Sequence, residues 1–189
     1  MPLSFIDNID AKRHLMLVYD DPKKAREIEF HFLRRGLEKG ERGIYLTHDD
    51  PKLIEQDMER YGINLRHYKK SGMLHVYQLS NLMVHSEGIL KAAENIMHQI
   101  DMGSKVPFRI VGRFVQNVGF EEGISVEYYL EKTFHALFDD SNGSFMCTYD
   151  FSQIQSNNEW RTWLHRLEMC HHASILNICE NAQIKINAR

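Results

Sequence analysis

Acidic, basic and aromatic side chains follow the predicted strands of this sequence, at the points where the strands end. They are Tyr19, Asp20, His48, Asp49, Arg113, Tyr149 and Asp150. In a mainly parallel sheet these positions share one edge, and α/β sheets bind ligands outside the carboxyl ends of their strands. Charged groups could fix a small molecule there, while the aromatic rings would suit an apolar or planar ligand. The pattern therefore predicts a ligand-binding site at that edge.

Some carboxylates at this edge have a simpler explanation as helix caps. Asp21 and Asp50 each precede a proline at the start of a predicted helix, where a carboxylate can accept bonds from the first backbone N–H groups. Capping is the favoured interpretation for these two residues. Asp20 and Asp150 are harder to explain as caps, and for them a shared polar site and a capping role stay open.

The turn after the first predicted strand, residues 20–24, differs from a phosphate-binding loop. ATP hydrolysis needs a glycine-rich backbone cradle, a lysine, and a serine or threonine on Mg²⁺. The turn reads Asp-Asp-Pro-Lys-Lys, so it has two carboxylates that would repel a triphosphate and no glycine. Pro22 also removes one amide donor. We expect no hydrolysis of nucleotides and no cofactor, although a nucleotide could bind in another pose.

His14 begins the first predicted strand. The favoured interpretation is a strand-end histidine whose ring bonds to the backbone. The alternative is that its ring reaches Tyr149 or Asp150 on a neighbouring strand and helps to define the ligand site.

Cysteine and histidine residues near the end of the chain have the side chains that bind metal ions. They are Cys170, His171 and His172, to which Cys147 could be added. Adjacent residues rarely point at one ion, and no second paired motif accompanies them. A single structural histidine before a strand is therefore favoured, and we expect no metal. Cys147 lies among apolar residues, which favours a buried small side chain over a nucleophile.

The composition is that of a globular protein and narrows the classes of function. With 189 residues, the chain is most economically one domain, residues 1–189. The net charge of -3 argues against a nucleic-acid partner, and no apolar run approaches the roughly 20 residues that span a membrane. Three cysteines without a C-x-x-C pair, and a start without signal-peptide features, predict a cytoplasmic protein.

Strand-like and helix-like segments alternate along the sequence. The predicted strands are residues 14–20, 43–47, 73–77, 108–112, 145–149 and 173–178, of which 173–178 is the last in the chain. The predicted helices run from Pro22 to about Lys39, from Pro51 to Gly62, from Ile89 to Gly103, from Val126 to Leu137 and from Trp160 to Met169. Apolar strands separated by helices predict an α/β protein with a mainly parallel sheet that is covered on both faces.

The sequence resembles a known family over residues 12–178. Residues 32–51 resemble the early part of RecA/KaiC-type ATPases, and the closer match is to the MEDS family, the sensory domain of methanogens and methylotrophs named for DcmR. The residues that carry this resemblance are His14 with Tyr19, the Gly-Leu-x-x-Gly-Glu block at residues 36–41, Cys147-Thr-Tyr-Asp150, and Cys170-His-His172.

The resemblance implies a three-layer α/β/α RecA-like core that has lost its ATPase function and senses a small molecule, with His172 added to the candidate ligand-binding residues. It implies a signalling partner, which would be a kinase, a transcription regulator or a second copy of the chain. Because the chain ends with the sensor, we expect the signal to pass through association with that partner. The alternatives are a nucleotide-binding ATPase with a degenerate phosphate loop and a protein-interaction adaptor.

Overall fold

The computed structural model describes residues 2–9, 12–84, 87–99, 106–179 and 181–187. Its strands are β1 (His14–Tyr19), β2 (Arg42–Thr47), β3 (Leu74–Gln78), β4 (Phe108–Val111), β5 (Gly143–Asp150), β6 (Ala173–Ile178) and β7 (Asn181–Ile186). They form one sheet in the order β3-β2-β4-β5-β1-β6-β7. Every neighbouring pair is parallel except β6 and β7, which are antiparallel. The mainly parallel sheet predicted from the sequence is therefore confirmed.

Helices cover both faces of this sheet. They are α1 (Pro2–Asp7), α2 (Pro22–Glu38), α3 (Pro51–Arg60), α4 (Leu65–Lys70), α5 (Ile89–Gln99), α6 (Glu121–Leu137), α7 (Phe151–Gln155) and α8 (Trp160–Glu168). None of the helices in the described ranges combines the length and the apolar character needed to cross a membrane.

Two separate hydrophobic cores make the protein three-layered. Leu15 and Leu17 of β1 pack with the apolar faces of α1 to α4, whereas Met16 and Val18 pack with α5 to α8. Alternate residues of one strand therefore bury themselves on opposite faces, as expected of a parallel sheet covered on both sides. The predicted α/β/α architecture is thus confirmed.

Within the described residues the predicted elements are present, and the structure adds the short helices α1, α4 and α7 and the strand β7. Helices α1, α4 and α7 have five or six residues each, too few to establish a helical period in the sequence. The prediction that 173–178 is the last strand is wrong, because the chain turns at Cys179, with φ of 53°, and returns as β7. The predicted helix stop at Gly103 lies outside the described residues.

The Gly-Leu-x-x-Gly-Glu block holds a buried arginine of β4. The Arg109 Nε atom lies 2.7 Å from a carboxylate oxygen of Glu41, and its Nη1 atom donates to the backbone oxygen of Phe32. Gly36 makes room for this side chain, because a Cβ atom there would lie 2.5 Å from Arg109 Cδ. The block therefore has a structural role in joining α2 to β4.

Replacing Gly36 with alanine is expected to lower the free energy of unfolding by about 2 kcal/mol, because the added methyl group must displace the buried Arg109 chain. Urea denaturation of G36A measures the loss, with K23A, on an exposed position of the same helix, as the control. A G36A protein as stable as wild type would contradict this close packing.

Candidate functional site

A cleft of about 590 Å³ opens at the carboxyl ends of β1, β2, β4 and β5. Its volume falls within the usual range of small-molecule sites. The polar residues that line this carboxyl-end cleft are Tyr19, Arg26, Glu29, Tyr45, Thr47, His48, Asp49, Arg113, Gln116, Asn117, Thr148 and Gln153. The cleft therefore offers hydrogen-bond donors and acceptors that suit a polar ligand better than an apolar one.

One wall of the carboxyl-end cleft is a hydrogen-bonded relay between α2 and β2. Arg26 Nη1 donates to the Tyr45 hydroxyl over 2.6 Å, and that hydroxyl donates to Glu29 Oε2 over 2.6 Å. Burial raises the pKa of Glu29, although Arg26 and the Tyr45 hydroxyl both act to lower it. Arg26 also lies 3.3 Å from Asp49. The two acids of this wall are therefore already partnered.

The opposite wall presents an arginine bonded only to neutral oxygens. Arg113 donates to the backbone oxygens of Gln116 and Thr148 and to the side-chain oxygen of Gln153. Among the described residues no carboxylate forms an ion pair with it. Burial, followed by the charge of Arg113, lowers the pKa of His48. Arg113 therefore brings into the cleft a guanidinium that forms no ion pair with a carboxylate of the described residues, although its charge also acts to lower the pKa of Glu29.

Four of the predicted ligand-binding residues line this cleft: Tyr19, His48, Asp49 and Arg113. Asp20 and Asp150 do not, since Asp20 accepts the Cys179 N–H over 2.6 Å and Asp150 accepts the Ser152 N–H over 2.8 Å. Asp150 is the N-cap of α7, so the view that it is hard to explain as a cap is wrong. The capping predicted for Asp21 and Asp50 is confirmed.

The structure places the other three predicted residues away from the cleft. His14 and His172 lie at the amino ends of β1 and β6, where the His14 N–H donates to Nδ1 of His172 over 2.8 Å. Tyr149 is buried beneath α6. The Nε2 atom of His14 faces the side chains of Glu131 and Cys147, and its Nδ1 atom has no hydrogen-bond partner among the described residues. The prediction that the ring bonds to the backbone and the alternative that it reaches Tyr149 or Asp150 are therefore both wrong.

His14, Glu131, Cys147 and His171 form a second polar group, the buried cluster, on the α6 side of the sheet. His14 Nε2 lies 3.1 Å from Glu131 Oε2 and 3.4 Å from Cys147 Sγ, while His171 Nε2 lies 3.4 Å from Glu131 Oε2. Burial and the neighbouring His171 lower the pKa of His14 to about 4. Although burial opposes it, the positive charge of His171 and the two imidazole contacts hold the pKa of Glu131 well below its usual range.

A chain of hydrogen bonds joins the buried cluster to the loop that carries Arg113. The Tyr149 hydroxyl lies within hydrogen-bond reach of Glu131 Oε1 and, at 3.3 Å, of Glu127 Oε1. Glu127 in turn accepts the Val115 N–H over 2.8 Å. Burial and the charge of Glu131 raise the pKa of Glu127 to about 8. The two glutamates are therefore held in different protonation states at neutral pH.

Sequence reasoning missed the buried acids, although a signal for them exists. Glu29 lies four residues after Ala25, and Glu127 and Glu131 lie three and seven residues after Ile124, so each occupies the buried face of its helix. An acid on an otherwise apolar helical face needs a partner in the core. His171 is one of the candidate metal ligands of the sequence analysis. The structure places its ligand atom in a group with that of Cys147, and this group does not include Cys170 or His172.

The architecture is that of the KaiC-like group of RecA-type folds. A KaiC-like protein from the hyperthermophilic archaeon Pyrococcus horikoshii OT3 superposes with a TM-score of 0.59 at 13% identity, covering 91% of this chain and 76% of that protein. The chain belongs to the MEDS family, the methanogen/methylotroph, DcmR sensory domain, whose model matches residues 13–161. No curated protein matches the sequence. Family membership supports a sensory or signalling role.

Proposed function

We propose that this chain is a non-catalytic cytoplasmic sensory domain that binds a small organic anion in the carboxyl-end cleft and signals to a protein partner. The observation that carries this proposal is the Arg113 guanidinium, which enters a polar cleft without a carboxylate partner among the described residues. Guanidinium groups bind carboxylates and phosphates through paired hydrogen bonds. Among the described residues, the hydrogen bonds of Arg113 come from its terminal nitrogens, which leaves its Nε–H for a ligand.

The turn after β1 argues against ATP hydrolysis. The Asp21 carboxylate accepts hydrogen bonds from the backbone N–H groups of Lys23 and Lys24, and Pro22 has no N–H to offer. In a phosphate loop, amides at a helix start of this kind would bind the nucleotide. Here the Asp21 carboxylate accepts the hydrogen bonds that a phosphate would accept. This supports a degenerate phosphate loop and a sensory rather than an enzymatic role.

The signal would pass to a kinase, a transcription regulator or a second copy of the chain. The cleft is built from segments after four different strands, so a ligand that draws its walls together would move the loop at Arg113 relative to α2. Such a movement changes the surface that a partner can bind. Signalling of this kind requires the ligand to bind one arrangement more tightly than the other.

The ligand proposal is tested by thermal unfolding of the full chain with short aliphatic mono- and dicarboxylates, and separately with Mg-ATP. A true ligand at a concentration of about 100 times its Kd stabilises a protein by about 2.7 kcal/mol, which raises the Tm of a chain of this size by roughly 5–10 °C. We expect such a shift with at least one carboxylate for wild type and none for R113Q.

The matched control is R66Q, which removes an exposed arginine of α4 that does not line the cleft. R66Q should keep the shift found for wild type. Stabilisation by Mg-ATP with turnover would replace the sensor by a nucleotide-dependent enzyme. An R113Q protein that responds like wild type, or a wild-type protein that responds to no carboxylate, would overturn the proposed ligand class.

A further inference from the structure

The four side chains of the buried cluster point their ligand atoms at one small volume. Nε2 of His14, Oε2 of Glu131, Sγ of Cys147 and Nε2 of His171 all lie within 4.8 Å of one another. A tetrahedral zinc ion with Zn–N and Zn–O bonds of about 2.0–2.1 Å and a Zn–S bond of about 2.3 Å separates its ligand atoms by about 3.3–3.6 Å. The observed contacts of 3.1–3.4 Å are close to those separations.

His171 has its donor nitrogen already engaged outside the cluster. Its Nδ1 atom lies 2.7 Å from the backbone oxygen of Leu167, an acceptor, so Nδ1 carries the proton of the neutral ring. Its Nε2 atom then presents a lone pair toward a carboxylate oxygen of Glu131, and it makes no hydrogen bond among the described residues. Two lone pairs facing each other in a buried site require a positive ion between them, either a proton or a metal.

Glu131 is oriented in a matching way. Its Oε1 atom accepts the Tyr149 hydroxyl, whereas its Oε2 atom faces both imidazoles and lacks a hydrogen bond of good geometry. Outer partners of this kind, a backbone carbonyl behind a histidine and a hydroxyl behind a carboxylate, are what orients the ligands of a metal site. His171 and Glu131 thus have their outer hydrogen bonds in place and an inner atom without one, whereas the outer Nδ1 atom of His14 has no hydrogen-bond partner among the described residues.

His14 and Cys147 belong to the rigid sheet that underlies the cluster. Cys147 is paired with Met16 on the neighbouring strand, and Met16 and Cys147 belong to the same core. His14, two residues before Met16, therefore projects to the same face. The His14 backbone is fixed by bonds in both directions to His172. Two ligands are held by strands, one by α6 and one by the segment before β6.

We propose that the buried cluster binds one divalent transition-metal ion, with Zn²⁺ as the best fit, through His14, Glu131, Cys147 and His171. Two imidazoles, one thiolate and one carboxylate are ligand types that zinc uses. The thiolate and the carboxylate together neutralise a divalent cation, so the buried site carries no net charge when it is filled. Binding displaces the proton of the Cys147 thiol and the proton shared by His171 and Glu131, which pass to the solvent.

Four protein ligands with little solvent exposure describe a closed site of structural type rather than a catalytic one. The ion would tie α6 and the segment before β6 to the strands β1 and β5. This proposal is independent of the ligand in the carboxyl-end cleft, because the two sites share no residue.

The test measures metal bound by the full chain, purified without a metal-affinity step, stripped with EDTA and then titrated with Zn²⁺ or Co²⁺. We expect one ion per chain and, at about 100 times the Kd, a rise in Tm of roughly 5–10 °C. The Co²⁺ form should show the visible bands of a tetrahedral ion and a thiolate-to-cobalt charge-transfer band. The Co²⁺ spectrum is measured on the wild-type protein, so this test does not depend on whether a variant folds.

The variants C147A and H171Q are compared with C170A, which removes a neighbouring cysteine that lies outside the cluster. C147A should lose the charge-transfer band and bind Zn²⁺ at least tenfold more weakly, while C170A keeps the band, the affinity and the stoichiometry. Circular dichroism checks that each variant is folded. Folded wild-type protein that binds neither ion, which would leave only a shared proton in the cluster, or a C147A protein that keeps the band, would overturn the proposal.

Discussion

Replacing Glu131 with glutamine is expected to lower the free energy of unfolding of the metal-free protein by about 2–4 kcal/mol near pH 7, whereas the same change at Glu127 is expected to cost about 1 kcal/mol or less. The two glutamates lie one helical turn apart on α6 and are equally buried. Their expected effects differ because Glu131 is ionised and Glu127 is protonated near pH 7.

Glu131 is the ionised member of this pair. Its carboxylate faces the imidazoles of His14 and His171, and these contacts hold its pKa well below the usual range. Glutamine removes the charge and with it the attraction for the proton shared with His171, whose outer nitrogen is already bonded to Leu167. A well-aligned hydrogen bond to a charged group contributes about 1.5–3 kcal/mol, and the substitution weakens both contacts of Oε2 with the imidazoles, which lie 3.1 and 3.4 Å away.

Glu127 is the neutral member, and glutamine imitates it. With a pKa of about 8, its carboxyl group is protonated near pH 7. In that form one oxygen accepts the Val115 N–H and the hydroxyl can donate to the Tyr149 oxygen. The amide of glutamine offers the same acceptor and the same kind of donor, so both contacts survive the substitution.

Urea denaturation of E131Q and E127Q after EDTA treatment measures both values, and for a chain of this size the E131Q loss corresponds to a fall in Tm of roughly 5–15 °C. Equal losses in the two variants would contradict the assignment of different charge states. An E131Q protein as stable as wild type would mean that the carboxylate is not ionised in the folded state.

The sequence predicted the layers of this protein well because its strands and longer helices carry their own periodicity. An uninterrupted apolar run such as 14–19 can be buried on both faces only in a covered parallel sheet, and the structure has that sheet. The hairpin of β6 and β7 was missed although a signal for it exists. Ala182, Ile184 and Ile186 alternate with polar residues, as in a strand with one packed face, but β7 is short, mostly exposed and at the edge of the sheet.

The location of the cleft was also predictable, but the orientation of its side chains was not. The rule for parallel sheets identified the correct edge and four residues of the cleft. It could not show that Asp20 and Asp150 turn toward backbone N–H groups, because those partners belong to the turn after β6 and to the unpredicted α7. Hydrogen bonds from the backbone, one local and one from a residue 159 positions away in the sequence, therefore turn these two acids away from the cleft.

The residues that carried the family resemblance do not all serve the cleft. Gly36 and Glu41 hold Arg109 in the core, while His14 and Cys147 belong to the buried cluster. Among the residues quoted for the match to the MEDS family, Tyr19 and Thr148 line the cleft. The features that mark the family in this sequence thus lie mainly in the interior. The residues that would select a ligand lie elsewhere, on α2 and on the loop after β4.

The stability of the metal-free protein is expected to fall between about pH 6.5 and pH 8, with a slope of up to about 1.4 kcal/mol per pH unit, and E127Q is expected to lack most of this fall. A carboxyl group whose pKa is higher in the folded protein than in the unfolded chain binds more protons when folded. Its contribution to stability is therefore lost as the pH rises from the unfolded to the folded pKa. For Glu127 this window runs from 4.5 to about 8.

His14 contributes to stability with the opposite sign and in a different pH window, so the range above about pH 6.5 is free of the His14 contribution. Since the folded pKa of His14 is about 4, against 6.5 in the unfolded chain, its effect raises stability with pH between these values and then ends. Below about pH 6.5 the two contributions oppose each other. Above it Glu127 remains, joined by Glu29, whose pKa is also raised and which E127Q leaves untouched. Urea titrations at several pH values give both profiles, and parallel curves for wild type and E127Q would refute a protonated Glu127.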